Sequence, residues 1–524
     1  MTANTLTIAS DGAMILTSTA LGTGTSDESG KTTYTSPITS NVVNDGTVMF
    51  KGMKLATNTE IVLTSGTLTG SGTYLSGNIL YEAVVEEGSN KITFGLSSTG
   101  VAALQSGLES GLSDMITQQA ANGGFDSTRT DGQGYLARIL ESTVTNADGS
   151  VNTEATAAAI SQKITSAASS AAKSGAFETS TLSVGMITGF TESRLGFNTA
   201  AGAPATVRLT GMSHAFSLEG AYADVGGFTT MTDSQMPVSS SLSTFADDAT
   251  IAWVSPVYTK TKSDGFGAGN FTTGVDADLY GVALGVDWAA ADDTRFGIAF
   301  QAGTGDIDSN GTLATSSTDY DYYGVTAYFG RQAGDWTIVG DVSFGYIDGD
   351  VTQYNAAGVI KADSTSKIFS ASAKARYTFE TEYVDIAPYF GARFNFVHID
   401  SMDGKENGSV ILHTDATTKT YAEIPLGIQF SKPMKTSGGI VFKPVLDLSV
   451  IPVIGDKNLE TTTRFTGVDY TASTTTEVLD RVNYSAKLGL TAEYKNVGFG
   501  LGVGYLGSEN VDNYSVTANL RFAF

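Results

Sequence analysis

The last eleven residues of the chain alternate apolar and polar positions. Side chains of a strand point alternately to opposite faces, so this pattern predicts one amphipathic strand. An edge strand of a soluble β-sandwich would show the same alternation, so the repetition of the pattern upstream decides between the two readings. The apolar face would carry Tyr514, Val516, Ala518, Leu520, Phe522 and Phe524.

The same alternation recurs about twelve times between residues 250 and 524. The polar faces carry charges of both signs in the middle of strands, where a charge without water or a partner is very costly. We therefore predict a mainly β fold, a twelve-stranded antiparallel transmembrane β-barrel that is apolar outside and polar inside. The predicted pore-lining residues are Asp341, Lys374, Arg376, Arg393, Glu423, Lys443, Asp447, Lys487, Glu493 and Arg521.

The connections between these strands alternate in length. Short connections at 289–293, 331–335, 380–383, 431–438 and 495–496 alternate with long ones at 260–274, 304–318, 347–366, 399–419 and 455–480. Outer-membrane barrels place short turns in the periplasm and long loops outside the cell. With an even number of strands, both ends of the barrel segment would lie on the periplasmic side.

The residues before the barrel divide into two further regions. Residues 1–98 contain short β-prone runs between Gly, Asn, Asp, Ser and Thr, which predicts a β-helix-like segment; a small β-sandwich or a linker is the alternative. Residues 99–249 predict helices and then a polar linker. The helices are expected at Val101–Ala121, at Tyr135–Leu140, from an Asn152 or Thr153 cap to about Lys173, and at Phe177–Arg194. The last of these is small and polar nearly all round, which suits a water-lined pore or a loosely packed surface.

Composition narrows the possible partners and compartments. The 524 residues carry a formal net charge of -24 and no cysteine. Such a charge argues against a nucleic-acid partner, and the absence of cysteine removes disulfides and thiolate metal sites. The start lacks the basic and apolar regions of a signal peptide. Either a signal has been removed or the chain is a fragment of a longer one, and we favour the fragment.

Motifs for catalysis or metal binding are weak. His214, His398 and His413 are scattered without zinc-ligand spacing. Asp306–Gly311 opens like a calcium loop in a predicted outer loop, but Ser317 stands where a bidentate Glu is needed. We therefore expect no catalytic residue, no metal and no cofactor, and we expect that the chain is not an enzyme.

Several stretches together carry a family resemblance. They are 281–288 (GVALGVDW), 295–300 (RFGIAF), 388–398 (PYFGARFNFVH), 423–430 (EIPLGIQF), 446–456 (LDLSVIPVIGD) and the terminal 519–524 (NLRFAF). In this order, the region from about Trp253 to Phe524 resembles the translocator barrel of classical (type Va) autotransporters.

The resemblance implies a location, a function and partners. Members of that family insert in the Gram-negative outer membrane and export their own N-terminal passenger to the cell surface. Implied partners are outer-membrane lipid, the barrel-assembly machinery, periplasmic chaperones and the chain's own passenger. Residues 1–98 would be a passenger remnant, 99–249 a helical region and linker partly inside the pore, and 250–524 the barrel. Tyr514, Leu520, Phe522 and Phe524 would form the barrel-assembly signal.

Two other functions fit the same pattern. The barrel could be porin-like, with the N-terminal region as its plug. The chain could also be a surface adhesin, whose displayed passenger is the active part.

Overall fold

The computed structural model describes most of the chain from Thr5 to Phe522. The described residues exclude 1–4, 23, 29, 87, 145–150, 168–250, 263–265, 269–270, 292, 312–315, 356–357, 456–457, 478–479, 495–496, 508–511 and 523–524. The expected helix at Phe177–Arg194, the linker at 196–249 and His214 therefore lie outside the described residues. The same holds for the side chains of the first and last barrel strands.

The N-terminal region stacks short strands in parallel. The first strand pairs with the fifth and the fifth with the ninth, and the second, sixth and tenth form a second parallel sheet. These are the pairings of a parallel β-helix rather than of a β-sandwich. The elements are β1 (Thr5–Ile8), β2 (Ala13–Thr17), α1 (Ser18–Leu21), β3 (Thr25–Ser26), β4 (Thr32–Thr35), β5 (Asn41–Asn44), β6 (Thr47–Lys51), β7 (Lys54–Leu55), β8 (Thr59–Val62), β9 (Leu68–Thr69), β10 (Thr73–Ser76), β11 (Tyr81–Val85) and β12 (Lys91–Leu96).

The β-helix has an apolar core and ends in a hairpin. Val42, Val48, Phe50 and Ile61 are fully buried, and the Phe50 ring meets Phe94 edge-on at a centroid distance of 5.7 Å. Strand β12 runs antiparallel to both β11 and β8, so it closes the parallel stack on this side. Burial of these side chains is the main source of stability in this region.

Four helices follow and form what we call the helical unit, residues 98–167. It contains α2 (Ser98–Gly107), α3 (Ser110–Asn122), β13 (Phe125–Asp126), α4 (Gly132–Leu140) and α5 (Thr153–Ala167). The single helix expected from Val101 is wrong, because Leu108 and Glu109 are extended and separate α2 from α3. The expected cap of α5 is present, since Asn152 Oδ1 accepts a hydrogen bond from Ala155 N at 2.9 Å.

A half-buried carboxylate, that of Glu141, joins the helical unit to the β-helix. Both Glu141 oxygens accept from Gly52 N at 3.1 Å, and one also accepts from Ser127 Oγ at 2.8 Å. Burial raises the pKa of Glu141, although these hydrogen bonds act in the opposite direction.

The described strands of residues 251–522 form one antiparallel sheet, in which most pairings join neighbours in sequence order and others, for example, skip a projecting hairpin or join one such hairpin to the other. Twelve strands run from one end of the sheet to the other, once interrupted strands are joined and two projecting hairpins are set aside. The strands are β14 (Ile251–Lys262), β15 (Phe266–Ala268), β16 (Phe271–Ala291), β17 (Thr294–Gly311), β18 (Ser316–Ala333), β19 (Trp336–Asn355), β20 (Gly358–Tyr377), β21 (Asp385–Ile399), β22 (Met402–Glu406), β23 (Ser409–Thr414), β24 (Thr417–Glu423), β25 (Leu426–Ser431), β26 (Met434–Lys435), β27 (Val441–Gly455), β28 (Asn458–Phe465), β29 (Thr471–Glu477), β30 (Val482–Tyr494), β31 (Val497–Gly507) and β32 (Asp512–Phe522).

The long connections expected between strands are themselves mostly strand, which corrects the sequence interpretation. The expected loop at 304–318 is occupied by β17 up to Gly311 and by β18 from Ser316. Strand β19 has 20 residues, which at about 3.3 Å per residue is about 65 Å. An apolar band of about 25 Å needs far less, so the strands project well beyond it. The expected loops at 399–419 and 455–480 contain the hairpins β22–β23 and β28–β29.

The barrel buries the opposite kind of side chain from the β-helix: its buried side chains are mainly polar and its exposed ones are mainly apolar. Along β18, inward residues are buried and outward ones are exposed, one after another. The outward Tyr323, Val325 and Phe329 are apolar, whereas the inward Thr326 is polar and fully buried. The predicted apolar outer face and polar inner face are both present.

Inward tyrosines lie over glycines on the neighbouring strand. Gly297 is directly opposite Tyr328, and a Cβ on Gly297 would lie 2.2 Å from the tyrosine ring. Gly427 and Tyr389 repeat the arrangement on β25 and β21. The ring occupies the space where a side chain would stand, so these positions require glycine.

Candidate functional site

The predicted pore-lining charges whose side chains the structure describes lie on the inward face of the barrel wall. Seven of them are buried, Lys487 is partly buried, and the side chains of Glu493 and Arg521 lie outside the described residues. The seven buried residues are Asp341, Lys374, Arg376, Arg393, Glu423, Lys443 and Asp447.

Strand register brings opposite charges together in the lumen. Arg393 on β21 is directly opposite Glu423 on β24, with Nη1 and Oε2 3.8 Å apart and both side chains under 5% exposed. Asp447 on β27 is directly opposite Lys487 on β30. Buried charges are tolerated in pairs of this kind because each charge offsets the desolvation cost of the other. Removal of either member would leave an uncompensated buried charge.

Neutral polar side chains complete the lining. Arg376 Nη1 donates to Gln429 Oε1 at 2.8 Å, and Tyr389 Oη donates to Asp447 Oδ1 at 3.0 Å. Asp341 accepts hydrogen bonds from the hydroxyls of Ser343 and Ser372. The lumen wall between β19 and β30 is therefore continuously polar. It carries positive and negative charges together with hydrogen-bond donors and acceptors, and it is suited to contact with a polar polypeptide.

Sequence reasoning missed some inward residues. Arg295 is fully buried at the start of β17, and Tyr320, Tyr322, Tyr328 and Tyr421 also point inward. Phe296, Ile298 and Phe300 form the outward face of β17. Strict alternation therefore places Arg295 on the inward face, and this was the signal available in the sequence. For Tyr322 and Tyr328, the signal was a glycine directly opposite on the next strand.

The expected assembly-signal residues belong to the last strand. The backbone of β32 ends at Phe522, with Tyr514 opposite Tyr505 and Leu520 opposite Phe499. Their side chains, and Phe524 altogether, lie outside the described residues, so the proposed role remains a prediction.

The candidate metal and histidine motifs take other forms. Asp306–Gly311 continues β17 rather than folding as the outer loop that was expected. His413 Nδ1 lies 2.7 Å from Asp403 Oδ1, whereas His398 Nδ1 lies 2.7 Å from Thr418 Oγ1. Among the described residues, no group of three His, Cys, Asp or Glu is placed to hold a metal ion. No described helix is long and apolar enough to cross a membrane.

A protein-family comparison decides what the barrel is. The autotransporter beta-domain model matches residues 252–505. Residues 252–505 are an autotransporter β-domain. The C-terminal half of the chain is thus an outer-membrane autotransporter translocator barrel, as the resemblance implied. No curated protein matches the chain.

Solved structures of translocator domains are similar over about half of this chain. The translocator domain of the autotransporter NalP from Neisseria meningitidis is 14% identical with a TM-score of 0.39, over 52% of this chain and 88% of that one. The β-domain of the Bordetella autotransporter BrkA is 16% identical with a TM-score of 0.37, over 53% and 100%. The transport unit of AIDA-I from Escherichia coli is 13% identical with a TM-score of 0.36, over 52% and 90%. The family assignment depends on the matched residues 252–505 alone.

Proposed function

We propose that the autotransporter barrel exports the chain's own N-terminal part through the outer membrane and displays it on the cell surface. In this proposal, residues 5–167 are the displayed passenger base. The ends that carry the projecting hairpins face outward from the cell, and the short turns face the periplasm. Exported chain would pass along the polar, mixed-sign lumen wall described above.

One observation carries this proposal: the N-terminal part and the first barrel strand meet the barrel at opposite ends. Gln353, near the hairpin end of β19, donates through Nε2 to the carbonyl oxygen of Ser166 in α5. Ile251 is opposite Asp287, next to the short turn between β16 and β17. The described residues on either side, Ala167 and Ile251, therefore lie toward opposite ends of the barrel, which supports a membrane crossing between them.

The barrel would act without catalysis. The buried Arg393 and Glu423 contact each other, and Arg376 and Asp447 contact Gln429 and Tyr389, which supports the role of a lining and not of a reactive centre. We further propose that periplasmic chaperones and the barrel-assembly machinery handle the unfolded barrel, with Tyr514, Leu520, Phe522 and Phe524 as the recognised face. Deletion of Phe524 should then lower the amount of folded barrel in the outer membrane, and an unchanged amount would remove that residue from the signal.

Cysteine labelling tests the proposed topology, because the native chain has no cysteine. Glu82→Cys places a thiol on the exposed face of β11, and Ala333→Cys places one at a short turn. Intact cells should label Glu82→Cys with a maleimide attached to a polymer too large for porins. Ala333→Cys should react only after the outer membrane is permeabilised. The reverse pattern, or no labelling of Glu82→Cys in intact cells, contradicts the proposal.

A further inference from the structure

The two projecting hairpins and the helical unit share one hydrophobic core. Ile411 and Leu412 of β23 and Phe465 of β28 are buried in the same cluster as side chains from the β-helix and the helical unit. The hairpins also pair with each other, since Leu412 is directly opposite Phe465. The barrel thus contributes an apolar platform, and the N-terminal part covers it.

The start of α4 uses the hairpin tip as part of its cap. Gly132 N donates to Thr466 Oγ1 and Gln133 N donates to Thr466 O, each at 2.8 Å. The first N–H groups of a helix have no partner within the helix, so a partner from elsewhere is required. Asp131 caps Gly134 N from within the same chain segment. The N-terminus of α4 is therefore completed by a residue more than 300 positions away.

Further polar contacts and close backbone packing fix the orientation. Arg138 Nη2 lies 2.6 Å from Glu406 Oε2 on β22, and Thr475 N on β29 donates to Glu109 Oε2 at 3.0 Å. A Cβ on Gly132 would lie 2.0 Å from Ile411 O, and one on Gly111 would lie 2.2 Å from Ser473 O. Only glycine lets the helices approach the hairpins this closely.

We propose that hairpins β22–β23 and β28–β29 form a clamp that holds the β-helix and α2–α4 on the barrel without need of the covalent link. The clamp combines a buried aromatic anchor at Phe465 with surrounding hydrogen bonds and an ion pair, the composition of a stable protein interface. A cut between α4 and α5 would convert an intramolecular contact into a complex of two fragments. The clamp keeps that complex together, so the cut does not release the N-terminal part.

The test uses the purified full chain in detergent micelles with a specific protease site inserted between Ala147 and Asp148. After complete cleavage, size-exclusion chromatography should show more than nine-tenths of fragment 1–147 eluting with the barrel. Phe465→Gln removes the anchor and should raise the free fraction at least tenfold. Arg464→Gln is the matched control, because Arg464 is the adjacent residue on the same strand and pairs with Asp415 of the barrel. The control should retain the fragment as wild type does.

Two results overturn the clamp. One is immediate release of fragment 1–147 from the cleaved wild type. The other is equal retention by Phe465→Gln and Arg464→Gln, which would assign the attachment to α5 instead. Because the measurement uses micelles and no membrane sidedness, it gives the same answer whether or not the proposed export is correct. Protease resistance of the released fragment shows that Phe465→Gln has acted on the clamp and has not unfolded the β-helix.

Discussion

The β-helix and the barrel are built from the same kind of element with opposite faces buried. In the β-helix, Phe50 and Ile61 point into an apolar core. In the barrel, Arg393 and Glu423 occupy the equivalent inward positions, and Phe300 and Ile298 point outward. A strand with period-two alternation therefore specifies two faces but does not say which face is inside. The solvent around the finished fold decides that: water around the β-helix and lipid around the barrel.

Similar exposure of an apolar side chain has different meanings in the two regions, because water covers the β-helix and lipid covers the barrel. Ile15 of the β-helix is 61% exposed and Ile298 of the barrel is 52% exposed. Ile15 lies opposite Met49 on the outward face of the β-helix, where exposed apolar side chains are normal for a protein in water. Ile298 is one of a continuous apolar band that lipid covers. The same substitution should therefore change the stability of the two regions by different amounts.

The largest expected difference in stability follows from replacing Ile298 and Ile15 with arginine. Ile298→Arg should destabilise the barrel by about 2–4 kcal/mol, because a charge on the lipid face is costly near the bilayer midplane. Ile15→Arg should change the stability of the β-helix by about 0.5 kcal/mol or less. Urea unfolding in lipid vesicles, followed by tryptophan fluorescence for the barrel and by proteolysis for the β-helix, measures both. Equal losses at the two sites would refute the contrast.

A smaller effect is expected from the tyrosine-over-glycine pairs that the barrel uses. Gly297→Ala should cost about 1–3 kcal/mol of barrel stability, because the new methyl group overlaps the Tyr328 ring. Gly95→Ala in β12 is the control, since its nearest neighbour would be a Glu82 side-chain atom at 3.9 Å. Tyr328→Ala combined with Gly297→Ala should recover part of the loss in a double-mutant cycle. Additive losses would show that the two residues do not share the space.

The smallest effect is a pH dependence at the junction of the helical unit and the β-helix. The pKa of Glu141 is raised above its usual 4.5 by burial, so the folded state favours the neutral form. That preference contributes stability below pH 4.5 and is lost as the pH rises through the raised pKa. Glu141→Gln, which cannot ionise, should lose this part of the pH dependence. Thermal melts of both proteins at several pH values between 4 and 8 measure the difference, and parallel profiles would contradict the assignment.

The barrel could be predicted from the sequence because its alternation of apolar and polar residues is long, regular and repeated. The outward face of β16, from Tyr280 to Trp288, and the inward charges Arg393 and Glu423 all followed from simple alternation. The parallel β-helix followed from strand-sized runs between turn residues. The cap of α5 at Asn152 followed from the chemistry of a helix start.

Contacts between residues far apart in the sequence could not be predicted in the same way. The clamp depends on Thr466 reaching the start of α4 and on Phe465 entering a core built mostly from residues before 168. Neither contact leaves a local signal, because Thr466 looks like an ordinary turn residue. The stretches 399–419 and 455–480 were expected only as long connections, although Ile411, Leu412 and Phe465 within them are buried in the core shared with the helical unit. The break between α2 and α3 was missed because the hydrophobic pattern continues through Leu108.

The most direct test of the central claim is a cysteine scan along β18 in reconstituted lipid vesicles. Residues 322–329 are replaced singly, and a spin label at each site is probed with oxygen, which concentrates in lipid, and with a water-soluble nickel complex. We predict a period of two, with Tyr323, Val325, Ala327 and Phe329 accessible to oxygen and shielded from nickel. Tyr322, Gly324, Thr326 and Tyr328 should be inaccessible to lipid-borne oxygen. Nickel access at the odd-numbered positions would show that this face contacts water, and the account of a lipid-embedded barrel would be wrong.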